Sequence, residues 1–200
     1  MICGYNWGGD PSDPGRSSSR SFFSDVHDGN RYRNRIIRWF ELWGHPLVRD
    51  VGNETWFERS IVQTNWLPTQ SKSLKGMQLA AECIRCWSDF ALLVEHFRPR
   101  LLLLMGSRLI DALNFPVCQE RMGFLLGKPG AVTYEAHNET VNGHPLRKFK
   151  VYFQNFGTTS VVCLPHPTGS RGLHDQYVAS FSSKIGGHIA AFKHLVVERQ

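Results

Sequence analysis

Arg98-Pro99-Arg100-Leu101-Leu102-Leu103-Leu104-Met105-Gly106-Ser107 is the stretch that decides the fold. Leu101 to Met105 is apolar without interruption, whereas a strand wetted on one face alternates. The run therefore reads as a strand covered on both faces, as in a parallel sheet packed between helices. Pro99 ends whatever precedes it, and Gly106-Ser107 turns the chain out of the strand. The run is far shorter than the ~20 apolar residues of a membrane span.

The flanks fit such a sheet. Leu74 to Phe97 reads as one long amphipathic helix, and a short helix to Leu113 follows the Gly106-Ser107 turn. Residues 1–5, Ser60 to Leu67 (closed by Pro68) and Ser160 to Leu164 read as three further strands. Arg31 to Leu42 places Tyr32, Ile36, Ile37 and Phe40 at helical spacing and stops near Gly44 and Pro46. A short helix is expected around Gln119 to Leu126, an added edge strand over Phe149 to Phe153, and a closing helix over His174 to Val197. Residues 7–30 are rich in Gly, Ser, Asp and Pro and read as a long loop, and such loops in compact domains are usually functional. Alternating strands and helices predict βα units with right-handed crossovers. The expectation is an α/β protein, a three-layer α/β/α sandwich with a central, mainly parallel four-stranded sheet, forming a single domain over residues 1–200.

Lys and Arg number 23 against 17 Asp and Glu, a net charge of +6 that favours a polyanionic partner and salt-sensitive binding. Arg31, Arg33, Arg35 and Arg38 read as one solvated helix face. Cys3, Cys83, Cys86, Cys118 and Cys163 are odd in number, which fits reduced thiols. Cys83-Ile84-Arg85-Cys86 lies in a helical pattern with no second close pair, so small buried side chains are expected rather than an iron–sulfur cluster. Met1 opens a strand with no basic segment ahead of it, so no signal peptide is expected. These readings point to a cytoplasmic monomer with no membrane association, no cofactor and no metal.

Open α/β sheets bind ligands where strands break into polar turns at their carboxyl ends. Met1-Ile2-Cys3-Gly4-Tyr5-Asn6-Trp7-Gly8-Gly9-Asp10 is one such break, Thr64-Asn65-Trp66-Leu67-Pro68 another, and Val161-Val162-Cys163-Leu164-Pro165-His166-Pro167-Thr168-Gly169-Ser170 a third. Each polar residue also has an ordinary reading: Asn6 as a turn former, Asn65 as a strand terminator, His166 as a strand-end cap. Asn6 and His166 stand at opposite ends of the chain, so only folding brings them together.

Gly4-Tyr5-Asn6-Trp7-Gly8 resembles the Gly-x-Asn-Pro-Gly motif of the mismatch-specific and single-strand-selective branches of the uracil-DNA glycosylase superfamily, with Trp7 in place of Pro. Pro165-His166-Pro167-Thr168-Gly169-Ser170 resembles that superfamily's second motif, His-Pro-Ser followed by a variable loop. Phe22-Phe23-Ser24 resembles its base-stacking aromatic, Asn65 its strand-end Asn, and Arg98 to Gly106 its third strand, all in the family's order. Residues 116–150 show no such match.

The resemblance implies a monofunctional DNA glycosylase acting on single- or double-stranded DNA. It hydrolyses the N-glycosidic bond of a flipped uracil or modified pyrimidine and leaves an abasic site. Asn6 then orients the attacking water, with Asp10 as a rival carboxylate in the same loop, and His166 donates a hydrogen bond to the departing base. Phe23, Asn65 and Tyr5 bind the base, so Asn6, Phe23, Asn65 and His166 are expected to line one pocket. Ser71, Lys72, Thr168, Ser170 and Arg171 contact DNA, and Arg171 or Leu173 fills the gap left by the flipped nucleotide. Two alternatives stand beside this: excision of a bulky modified cytosine from foreign or phage DNA as a defence, and a catalytically silent nucleic-acid-binding member of the same fold. A metal-dependent hydrolase on Asp10, His166, His174 and Asp175 is disfavoured, since the histidines lack metal-ligand spacing with a clear third ligand.

Overall fold

The computed structural model describes residues 1–6, 30–50, 52–69, 76–138, 140–141, 144–145 and 148–197. In chain order they form β1 (Ile2–Gly4), α1 (Arg31–Leu42), α2 (Trp56–Arg59), β2 (Gln63–Asn65), α3 (Leu79–Arg85), α4 (Trp87–Phe97), β3 (Leu101–Met105), α5 (Leu109–Leu113) and α6 (Pro116–Leu126). There follow β4 (Thr133–Glu135), the small pair β5 (Thr140–Val141) and β6 (His144–Pro145), β7 (Val151–Phe156), β8 (Thr159–Leu164), α7 (Asp175–Ala179) and α8 (Ser182–Val197). These elements fall into two compact units. The first holds β1, β2, β3, β7, β8, β4 up to Tyr134 and helices α3 to α6; the second holds α1, α2, the segment from Glu135 to Lys150, α7 and α8.

The sheet of the first unit runs β2-β1-β3-β8-β7-β4. Strands β2, β1, β3 and β8 are parallel, as the βα reading requires, but β7 is antiparallel to β8. The expected mainly parallel, four-stranded sheet is thus corrected to a mixed, six-stranded one. Only Gly157 and Thr158 join β7 to β8, and so short a connection admits a hairpin but no crossover helix. The strand expected at Phe149 to Phe153 is β7, and it lies inside the sheet because β4 takes the edge.

Every residue of β3 is buried. Cys3, Leu102, Leu104, Val161 and Cys163 share one core with Phe90 and Val94 of α4, Leu113 of α5 and Met122 of α6. The long helix expected over Leu74 to Phe97 is broken at Cys86, whose backbone (φ −100°, ψ 11°) leaves helical geometry. Trp66 supplies a tertiary cause. Its ring stacks on Phe90 at 4.0 Å, and its indole N–H takes the Cys83 carbonyl at 2.8 Å, the carbonyl a continuous helix would offer to Trp87. All five cysteines are free and buried. Burial pushes the Cys83 thiol up to about 12 and Cys118 up to about 11, and raises Cys3 and Cys163 as well, which makes them poor nucleophiles.

In the second unit, α1 starts at Asn30, whose side-chain oxygen accepts the N–H groups of Tyr32 (3.0 Å) and Arg33 (3.2 Å). Ile36, Ile37, Trp39 and Phe40 form its buried stripe. The solvated arginine face expected on this helix is corrected: Arg31 and Arg38 are exposed, but Arg33 is 5% exposed and Arg35 is half-buried. The closing helix is split between α7 and α8, because the Ser180 hydroxyl donates to the Tyr177 carbonyl at 2.7 Å and ends α7 early. Among the described residues no helix is long and apolar enough to cross a membrane.

Candidate functional site

The carboxyl ends of β1, β2 and β3 are locked together in the first unit. Gly4 pairs with Asn65, and the ladder continues past both strands: Trp66 N–H donates to Gly4 O at 2.9 Å and Leu67 N–H to Tyr5 O at 2.8 Å. Tyr5 is buried, and its hydroxyl accepts the Arg108 N–H at 2.9 Å. Burial raises the Tyr5 phenol, so it stays protonated. Gly106, at the end of β3, is required by this contact: a Cβ there would lie 2.3 Å from two ring carbons of Tyr5. Tyr5, predicted to bind the base, is therefore also the brace between two strand ends.

Asn65, whose backbone carbonyl accepts the Thr64 hydroxyl at 3.4 Å, is 8% exposed at the end of β2. A carboxamide offers two donors and two acceptor lone pairs. Asn6, at the end of the zipped segment, is half-buried. The structure thus brings Tyr5, Asn6, Asn65 and Gly106 to the same edge of the sheet.

β8 ends at Leu164 on the carboxyl side of the parallel strands, and His166 follows two residues further along the chain, in the second unit. Its Nδ1 accepts the backbone N–H of Gly169 at 2.8 Å and that of Thr168 at 3.3 Å. Two donors aimed at Nδ1 leave the imidazole proton on Nε2. Burial pushes the imidazole down to about 4, so it is neutral at physiological pH. His166 does cap a turn, as its ordinary reading held, and in capping it is fixed as an Nε2–H donor. A Cβ on Gly169 would stand 3.0 Å from Nδ1, so this close approach favours glycine.

Around this imidazole lie two residues whose role the sequence did not single out. The Tyr32 ring, on α1, stands 5.3 Å from that of His166. Arg35, one turn further on, donates to the carbonyls of Pro167 and Leu173. Tyr32 read as an apolar helix position and Arg35 as a member of a charged face; only the fold gives them this neighbour.

Of the predicted DNA contacts, Thr168 and Arg171 are exposed and Ser170 is half-buried, its N–H donating to His166 O at 3.2 Å. Leu173, the other candidate to fill the gap left by a flipped nucleotide, is 5% exposed and packs inward, its carbonyl held by Arg35. Asp10, Phe23, Ser71 and Lys72 lie outside the described residues. Among the described residues, no group of three or more His, Cys, Asp or Glu is placed to hold a metal ion. No protein-family model matches this chain, and neither does any curated protein.

Proposed function

We propose that this chain is a monofunctional DNA glycosylase that removes uracil or a modified pyrimidine from DNA. The observation that carries this reading is the neutral His166 imidazole, whose proton is held on Nε2 by two backbone donors to Nδ1. When the glycosidic bond breaks, the base leaves with the bonding pair and negative charge gathers on its carbonyl oxygen. An N–H donor positioned for that oxygen stabilises the charge as it develops, without itself losing a proton. Water adds to the sugar C1′ as the base departs, its proton goes to solvent, and the anionic base takes a proton from solvent. Asn6 orients this water; its amide accepts a hydrogen bond but is no base at neutral pH. Asn65 meets the pyrimidine edge with the donor and acceptor of its amide.

The same reading assigns the chain the three-layer, uracil-DNA glycosylase-like arrangement, with β2, β1, β3 and β8 as its parallel core. The partner is DNA, in keeping with the net charge of +6. The test is to incubate the protein with single-stranded and duplex oligonucleotides carrying uracil, thymine mismatches or substituted cytosines, and to assay abasic sites by alkaline cleavage. The expected result is excision of at least one base, reduced ~10²–10³-fold in single turnover by His166→Ala, with DNA binding nearly unchanged. Excision confined to substituted cytosines narrows the activity to defence. DNA binding without excision of any base, or an unchanged rate in His166→Ala, overturns the enzymatic reading.

A further inference from the structure

Both ends of the loop that begins at His166 are tied to one side chain. Arg35 donates from Nη1 to the Pro167 carbonyl and from Nη2 to the Leu173 carbonyl. Its Nε lies 3.5 Å from Oδ1 of Asp175 in the first turn of α7, and its guanidinium sits 5.6 Å from the Trp39 ring. Between the two held carbonyls the loop closes on itself: Leu173 N–H donates to Ser170 O at 3.1 Å, and Gly172 takes the left-handed turn at φ 85°. Thr168, Gly169, Arg171 and Gly172 remain exposed at the tip.

The decisive detail is covalent. The Pro167 carbonyl and the Thr168 N–H belong to one peptide plane, and in a trans peptide they point in opposite directions. Arg35 holds the oxygen of this plane, and His166 Nδ1 receives its N–H at 3.3 Å. Fixing one side fixes the other. The cation on the oxygen also polarises the N–H toward Nδ1.

We infer that Arg35 is a positioning residue: by holding the Pro167–Thr168 peptide, and with it the loop that presents the Gly169 N–H, it sets the tautomer and orientation of His166. Its planar fork can hold two carbonyls and a carboxylate together; a lysine ammonium has neither the width nor the fixed angles to do so. The catalytic consequence rests on the glycosylase reading, whereas the effect on His166 does not.

The test uses Arg35→Lys and Arg35→Ala in the full chain, with folding checked by circular dichroism. Histidine ring 15N spectra of wild type should show His166 with its proton on Nε2, and both variants should show exchange between tautomers and a titration midpoint raised by about one unit or more. Single-turnover excision should fall ~10²-fold, since misplacing a catalytic group by about 1 Å has that effect. Unchanged ring shifts and midpoint in a folded variant overturn the inference. A shifted His166 in a protein that excises no base supports the positioning role and refutes the glycosylase reading. A measurement on wild type alone guards against misfolded variants: the Arg35 Nη protons should exchange slowly, with restricted rotation about Nε–Cζ, and a freely rotating guanidinium refutes the clamp.

Discussion

Acidification tests the state of His166 without reference to any substrate. Burial lowers its imidazole from 6.5 to about 4 in the native protein. The unfolded chain takes up this proton near pH 6.5, whereas the native state resists until about pH 4. Between those values the unfolded state binds more protons, so stability falls as the pH falls. Above pH 6.5 the contribution is intact and flat; near pH 4 it is gone. At 1.36 kcal/mol per unit the gap corresponds to roughly 2–3 kcal/mol, allowing for the solvent that still reaches a partly exposed ring. The assay is urea unfolding across this range for wild type and His166→Asn, whose Oδ1 takes the place of Nδ1 as acceptor of the two backbone N–H groups but does not titrate. His188, also lowered by burial, is common to both proteins and cancels. The wild-type advantage should shrink by that amount between pH 6.5 and 4. A constant difference, or an NMR titration midpoint for His166 near 6.5, would show that the ring is solvated and would refute its burial.

Gly106→Ala should destabilise by about 1–3 kcal/mol, because the new Cβ meets the Tyr5 ring at 2.3 Å, and thermal unfolding should register a drop of roughly 2–4 °C per kcal/mol. An unchanged melting temperature would mean that Tyr5 does not brace the strand ends. The five buried thiols should resist an aromatic disulfide reagent at pH 8 in the native protein and react together in denaturant; a single fast native thiol would contradict their burial. Arg171→Ala should slow excision from duplex DNA more than from single strands, since only a duplex leaves a gap in the stack to fill. Equal losses on the two substrates would deny this exposed arginine the role.

The sequence by itself determined the α/β class and the four parallel strands, because an uninterrupted run such as Leu101 to Met105 has one low-energy home: a strand covered on both faces. It also located α1 within its observed bounds, since apolar spacing and Gly and Pro stop residues are local signals. What it missed depended on groups distant in the chain. Trp66 breaks the helix at Cys86 by taking a carbonyl from it, and no window of sequence around Cys86 contains that indole. The two-residue turn at Gly157 and Thr158 makes β7 antiparallel, and β4 then displaces it from the edge. At the candidate site, sequence supplied the residue types Asn6, Asn65 and His166, because motifs are local. Only the tertiary structure decided that Leu173 packs inward, that Asn65 is buried, and that Arg35 reaches across from α1 to the peptide that holds His166. A side chain's protonation and orientation are set by what surrounds it in space, and those surroundings come from segments the chain brings together only by folding.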